Sequence, residues 1–311
     1  MKPRETITTL CIGQRFLRMG LALMRSILDL AGERYRLVIF HAQAHPALLR
    51  IPGAVELLPL DASIGSANER PVKNPHDQLF NEREKVRFKC APLNDPRVND
   101  DAVLFLDADS LVYRDVLAEL FALIHQSEFI VFGDYRDDDF IWLKEKDGDG
   151  FSLKDGTRAL GKNLPNFSLN SGLIGRAPTA TGRLFSKRFE AYTRTRPFAD
   201  RIRSDWHRLN DEPYLALAFV ETAAETGLGT NDLPANAYIT TASASIEARA
   251  NRQPRLLKGD VNAADAAIIH FAGKSQHPVY LEQMEPRAPL SLRGRLHKRL
   301  KPASAQTAVA S

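Results

Sequence analysis

Only two cysteines, Cys11 and Cys90, stand in the 311 residues. They lie far apart, each within an apolar or helical stretch, which argues against a disulfide framework or a thiolate zinc site and fits a reducing, cytoplasmic setting. Long hydrophobic runs are also missing: no window approaches the roughly 18 uninterrupted apolar residues of a membrane-spanning helix. The opening MKPRETITTLCIG carries basic groups without the apolar run and small-residue cleavage site of a secretory leader. The expected protein is neither exported by a visible signal nor membrane-spanning. Charge of one sign is scarce as well. The formal net charge is +4, and part of that excess sits at the chain's end, where Arg287, Arg293, Arg295, Lys298, Arg299 and Lys301 follow the last acid, Glu285. Nothing in that local distribution asks for nucleic acid.

What is present is ample apolar material, 44% of residues, for a core of one large or two small α/β domains. Thr6 to Ile12 is β-rich and closes on Gly13, after which Leu17, Leu21, Met24 and Leu28 recur at helical spacing. Leu37 to Phe40 and Val55 to Leu60 read as further strands. Asp61 to Asn81 is a polar excursion, and Glu82 to Leu93 reads as a helix halted near Pro96. Ala102 to Leu106 (AVLFL) is the strongest strand signal, followed by a helix from Val116 to Ile124 and a strand at Phe129 to Phe132. Ser168 to Ile174 continues the pattern, with helices around Arg183 to Thr193 and Glu212 to Thr222, and Ala266 to Phe271 is a last buried strand. Strands alternating with helices predict a mainly parallel, doubly wound sheet.

The chemistry centres on Asp107-Ala108-Asp109, directly after the apolar strand. Side chains two apart at a strand's end can lean toward one point, and two carboxylates there can hold one hard cation. A divalent ion so held can take diphosphate oxygens and stabilise the charge on a leaving nucleotide. A bare pair of spaced aspartates is more often two solvated acids in a loop, so the strand context matters.

The run VLFLDADSLV resembles the metal-binding element of GT-A glycosyltransferases, especially the retaining family of glycogenin and the bacterial lipopolysaccharide galactosyltransferases. Three other stretches resemble that family in the same order: Asn170-Ser171-Gly172 its turn facing the donor sugar, Asp211-Glu212 its acidic pair opening a helix, and His270-Phe271-Ala272-Gly273 its histidine motif. The resemblance implies a GT-A, Rossmann-like α/β fold with a mixed, mostly parallel central sheet flanked by helices. It implies Mn2+ or Mg2+ held by Asp107, Asp109 and His270, a ligand set that suits manganese better because magnesium prefers oxygen alone. It further implies donor contacts from Asp107, Ala108, Asp109, Asp134, Asn170, Ser171, Gly172, Gly273 and Lys274, with Arg87 or Lys85 pairing with diphosphate or sugar. Glu212, with Asp211 beside it, takes the catalytic place under the anomeric carbon, where a carboxylate can steady positive charge, act as nucleophile, or serve as base in an inverting reaction. Asp211 equally suits a helix N-cap.

Two departures stand out. The relatives' histidine motif continues to Lys-Pro-Trp, whereas here Gly273 leads to Lys274-Ser-Gln-His277-Pro278, and the first strand offers only Thr9, Cys11 and Gly13 toward a nucleotide. The expected donor is thus a nucleotide-diphosphate sugar, UDP by family default, and the acceptor is a glycan, lipid-linked or protein group. FLDADS also resembles the nucleophile motif of haloacid-dehalogenase-type phosphatases, with Asp107 attacking phosphorus and Asp109 handling protons. That motif normally opens its domain, and about a hundred residues precede it here. Asp147 to Gly150 resembles part of an EF-hand loop, but Gly156 falls where a bidentate Glu is needed. The expected organisation is a catalytic domain over residues 1–285 and a basic tail, 286–311, either disordered or lying on an anionic membrane surface.

Overall fold

The computed structural model describes residues 3–42, 52–60, 89–138, 140–141, 152–198, 211–240, 245–247, 255–258 and 266–272. In chain order these form β1 (Glu5–Ile12), α1 (Gln14–Ala31), β2 (Arg36–Ala42), β3 (Val55–Pro59), the one-turn α2 (Ala91–Asn94), β4 (Ala102–Leu106), β5 (Ser110–Val112), α3 (Leu117–Ser127) and β6 (Phe129–Arg136). There follow α4 (Leu153–Ala159), β7 (Asn166–Arg176), α5 (Ala180–Thr195), α6 (Glu212–Thr226), β8 (Tyr238–Thr240), β9 (Ser245–Glu247), β10 (Arg255–Lys258) and β11 (Ile268–His270).

Six strands build the main sheet in the order β3-β2-β1-β4-β7-β6. The first four run parallel, while β7 is antiparallel to both β4 and β6, giving the mixed, mostly parallel sheet the sequence predicts. Every residue of β4 is buried, as a strand central to a sheet covered on both faces must be. One face carries Ile7, Leu104 and Leu106 against Leu17, Leu23, Met24 and Ile27 of α1 and Leu120, Phe121 and Ile124 of α3. The other carries Val103, Phe105, Val131 and Phe167 against Phe185 and Phe189 of α5 and Leu215 to Val220 of α6. Phe129 stacks on Phe185 at 4.7 Å, and Phe167 on Phe219 at 4.7 Å. Cys11 and Cys90 are both buried, and neither forms a disulfide.

A second, three-stranded sheet, β5-β11-β8, grows from the end of β4. In it β11 is antiparallel to β5 and parallel to β8. The sequence reading has no strand directly after Asp109, because Ser110–Val112 is too short to show a period by itself. Strand β6 also runs past Phe132 through Gly133, which resembles a turn in sequence. A Cβ at Gly133 would lie 2.5 Å from the Ser168 carbonyl oxygen, so glycine serves close strand approach there rather than a turn. Of the helix expected over Glu82 to Leu93, the described part is the turn at Ala91–Asn94. Lys85, Arg87, the Asp147 to Gly150 segment, Gly273, Lys274, His277 and the tail after Glu285 lie outside the described residues.

Candidate active site

Strand β4 ends at Leu106, and the chain turns at once into β5, with the Ser110 N–H donating to the Asp107 carbonyl at 3.0 Å. Asp107 and Asp109 are the first and third residues of that turn. On the far side of β5, β11 pairs so that His270 lies opposite Ser110, and the Phe271 N–H donates to the Asp109 carbonyl at 2.9 Å. The register of two short strands therefore brings the imidazole to the carboxylates across more than 160 residues of chain. His270 Nε2 stands 3.2 Å from Asp109 Oδ1 and 3.5 Å from Asp107 Oδ2. One ligand atom from each residue falls within 4.8 Å of the others.

The opposite wall is β7. Its pairing with β6 jumps from Val131↔Ile174 to Phe132↔Asn170, so residues 171 to 173 bulge away from β6 where β4 stops, and the Gly172 carbonyl accepts from the Asp107 N–H at 3.0 Å. Such bulges re-aim side chains at sheet ends. Asn170 Oδ1 accepts from the Gly172 N–H at 3.0 Å and from the Tyr238 hydroxyl at 3.0 Å, and it lies 3.0 Å from His270 Nδ1. Asn170 Nδ2 donates to Glu212 Oε1 at 3.2 Å. A methyl on Gly172 would sit 2.0 Å from the Tyr238 hydroxyl and 2.6 Å from His270 Nδ1. The sequence reading leaves room at Gly172 for a ligand; in the fold that room admits the protein's own tyrosine and histidine.

Lys89, just before α2, completes the floor. Its ammonium donates to Asp107 Oδ2 at 2.9 Å and to Ser171 Oγ at 2.7 Å, and lies 3.3 Å from Asp211 Oδ2. Asp211 heads α6 but makes no side-chain cap bond; its carboxylate faces Lys89 instead, so the N-cap alternative gives way to an ion pair. Burial alone would depress the Lys89 pKa, but Asp107 and Asp211 outweigh it and raise it, so the residue stays cationic. Burial is likewise the largest influence on Asp107 and lifts its pKa, against the pull of Lys89 and His270. For His270 burial favours the neutral ring, yet Asp109 and Asp107 together raise its pKa. Burial and then the same carboxylates keep Tyr238 protonated.

Four carboxylates, Asp107, Asp109, Asp211 and Glu212, thus gather around one ammonium and one imidazole. That excess of partly buried carboxylates, with His270 Nε2 beside them, is the donor set a divalent cation fits once it displaces the ring proton. The site opens at the carboxyl end of β4, beside the change from parallel to antiparallel pairing, which is where open α/β sheets bind ligands.

No protein-family model matches the sequence, and no curated protein matches it. Solved structures do. WbbM, described as a bifunctional glycosyltransferase in its apo form, superposes with TM-score 0.56 at 12% identity over 96% of this chain and 52% of its own, so this chain spans about half its length. The galactosyltransferase LgtC, in complex with donor and acceptor sugar analogs, superposes with TM-score 0.52 at 12% identity over 93% of this chain and 99% of its own. An active-site mutant of LgtC gives TM-score 0.50 with the same identity and coverage. The chain has the GT-A glycosyltransferase fold.

Within the GT-A fold the expected residues separate. Asp107, Asp109, His270, Asn170, Ser171, Gly172, Asp211 and Glu212 come together. Ala108 is buried in the core beneath the turn. Asp134 stands apart: its side chain is 69% exposed, pairs with Arg136 at 3.2 Å, and is two registered pairs beyond Asn170 on β6. Sequence reasoning missed Lys89 and Tyr238. A lysine followed at once by the buried Cys90, Ala91 and Leu93 must find a carboxylate, and that signal was available. Tyr238, in the short strand YIT, offers no such signal.

Proposed function

We propose that the chain is a metal-dependent glycosyltransferase that moves a hexose from a nucleotide-diphosphate sugar, UDP-linked by family default, to a glycan, lipid-linked or protein acceptor. The observation that carries this reading is the convergence of Asp107, Asp109 and His270 Nε2 at the end of β4 in a fold shared with a galactosyltransferase caught with donor and acceptor analogs. Asp107, Asp109 and His270 hold Mn2+ or Mg2+. When bound, that ion supplies Lewis-acid stabilisation of the departing nucleoside diphosphate.

The rest is work for the chain's own groups. Lys89 favours the ionised form of Asp107 against the effect of burial and offsets part of the local negative charge. Ser171, hydrogen-bonded to Lys89, and Gly172 shape the donor-sugar wall. Glu212 is the charged group nearest the sugar side, held by Asn170 at 3.2 Å, and it steadies positive charge on the anomeric carbon or attacks it. Asp211 keeps Lys89 in place, and Asp134 lies at the rim, where a sugar hydroxyl can reach it. Residues 1–285 form the catalytic domain, working in the cytoplasm. The charge of the basic tail, 286–311, suits contact with an anionic membrane surface, where a lipid-linked acceptor would be met. No helix among the described residues is long and apolar enough to cross a membrane.

A phosphatase built on Asp107 and Asp109 has less support, because three strands precede the motif and His270 is left without a role. The deciding experiment is a panel of sugar nucleotides with Mn2+ and no acceptor, reading nucleotide release. Wild type releases nucleotide from one donor, and Asp109→Asn abolishes the release while leaving thermal unfolding intact. Release from no donor, or an undiminished rate in Asp109→Asn, overturns the reading. Phosphate release from simple phosphomonoesters favours the phosphatase.

A further inference from the structure

The geometry points to Asn170 and Tyr238 as positioning residues that set the tautomer of His270, so that the neutral ring keeps its hydrogen on Nδ1 and presents Nε2 to a cation held by the two aspartates. This deepens the metal-site reading and rests on it. One donor at the Asn170 side chain cannot be reassigned. The Gly172 backbone N–H can only donate, and it meets the Asn170 side chain at 3.0 Å, so the atom it meets is the amide oxygen and the side chain cannot be flipped. An amide oxygen only accepts. Tyr238 must therefore donate its hydroxyl hydrogen to that oxygen, and His270 Nδ1, 3.0 Å away, must carry hydrogen. With Nδ1–H committed, Nε2, 3.2 Å from Asp109 and 3.5 Å from Asp107, is the nitrogen left for the cation; without metal it donates to Asp109, and a cation that displaces that proton takes its lone pair.

The other end of the same amide has no freedom either. Nδ2 only donates, and its partner is Glu212 Oε1 at 3.2 Å. One side chain thus links the ring that faces the metal position to the carboxylate that faces the sugar, and the Tyr238 hydroxyl and the Gly172 N–H hold it at its centre. Tyr238 is itself fixed by its ring contact with Phe132 at 4.8 Å and by strand β8. Residues that accept from a ligand histidine's second nitrogen orient it and raise its basicity, and their loss typically costs about 10- to 100-fold in metal affinity.

The test uses the full-length protein and two readouts. Long-range nitrogen-proton NMR of the metal-free, 15N-labelled protein at alkaline pH reads the His270 tautomer, with His270→Gln assigning the signal. Wild type shows Nδ1–H with a bare Nε2, Asn170→Ala shows a mixture, and Tyr238→Phe, which keeps the ring packing, moves part of the way. Mn2+ titration by electron paramagnetic resonance then shows the dissociation constant rising about 10- to 100-fold in Asn170→Ala. It rises by less in Tyr238→Phe and stays close to wild type in Asn170→Asp, which keeps the acceptor but loses the donor to Glu212. An Nε2–H tautomer in wild type, or an unchanged tautomer in Asn170→Ala, overturns the proposal. If wild type takes up no Mn2+, the metal reading fails, while the tautomer spectra still decide whether Asn170 and Tyr238 set the ring.

Discussion

Replacing Lys89 by methionine keeps the length and apolar stem of the side chain and removes its charge. In the fold that charge lies between Asp107 and Asp211, with side chains 13%, 22% and 8% exposed respectively. Breaking a buried pair by deleting one partner costs about 3–5 kcal/mol, because the carboxylates left behind stay desolvated. A chain of this length loses about 2 °C per kcal/mol, so metal-free Lys89→Met should unfold about 6–10 °C below wild type. A divalent cation shares Asp107 with Lys89, so in the absence of donor it should bind the variant more tightly than wild type, by about tenfold for about 1.4 kcal/mol of relieved competition. At saturation both proteins gain stability by mass action, and the variant gains about 1.4 kcal/mol more. Differential scanning fluorimetry of both proteins, with chelator and with saturating Mn2+, is the assay. The gap between variant and wild type should narrow by about 3 °C when saturating Mn2+ is added. The same gap with and without metal, or a metal-free loss under about 2 °C, would refute the idea that Lys89 offsets the charge of a cation site.

Three further outcomes follow from the same geometry. Gly172→Ala forces a methyl against the Tyr238 hydroxyl and the His270 ring, so stability should fall by about 1–3 kcal/mol and Mn2+ affinity should drop with it; unchanged affinity in a titration would mean the bulge can relax. Arg176 is fully buried, with burial lowering its pKa to about 10, and it donates to the backbone carbonyls of Leu93, Val98 and Asp101. Arg176→Met should cost about 3 kcal/mol or more in denaturant unfolding by stranding those carbonyls. It should also loosen the segment between Lys89 and β4, seen as faster amide exchange there. Finally, His270 has a folded pKa raised above 6.5, so its stabilising contribution is complete below pH 6.5 and fades as pH climbs through the folded value. The raised carboxyl of Asp107 works in the same direction. Metal-free thermal stability should therefore decline from pH 6.5 upward, and saturating Mn2+, which needs the neutral ring, should reverse the slope; parallel curves would remove His270 from the metal set.

How much of this was legible beforehand depends on the range of each interaction. Strand β4 and the Asp107-Ala108-Asp109 turn are local: five apolar residues followed by two spaced acids announce a buried strand and its exposed end, and the fold agrees. Helix α1 is local too, since Leu17, Leu21 and Met24 recur on the face that packs the sheet. Asp107, Asp109 and His270 could be grouped only through a family pattern, because β5, at three residues, is too short to display a period, and the apolar run around β11 shows a strand without showing which strand it pairs. The acidic pair at Asp211 illustrates the opposite failure. An aspartate before a helix satisfies the local rule for an N-cap, but a lysine 122 positions earlier claims its carboxylate, since a buried ion pair outweighs a cap bond of about 1 kcal/mol.

Asn170 carries the same lesson into chemistry. In sequence it is an amide two residues before a glycine, with two donors and one acceptor open to any ligand. In the fold its oxygen is filled by Gly172, Tyr238 and His270, and its nitrogen is turned to Glu212. An amide with its acceptor already used three times has little to offer a sugar hydroxyl as acceptor, so its effect on the reaction runs through the imidazole and the carboxylate it holds. Asn170→Asp therefore separates the two routes. It keeps the imidazole's partner while setting a second negative charge against Glu212, so Mn2+ uptake should survive and nucleotide release should not. Loss of both together would mean that the amide holds the site as a whole rather than through two distinct bonds.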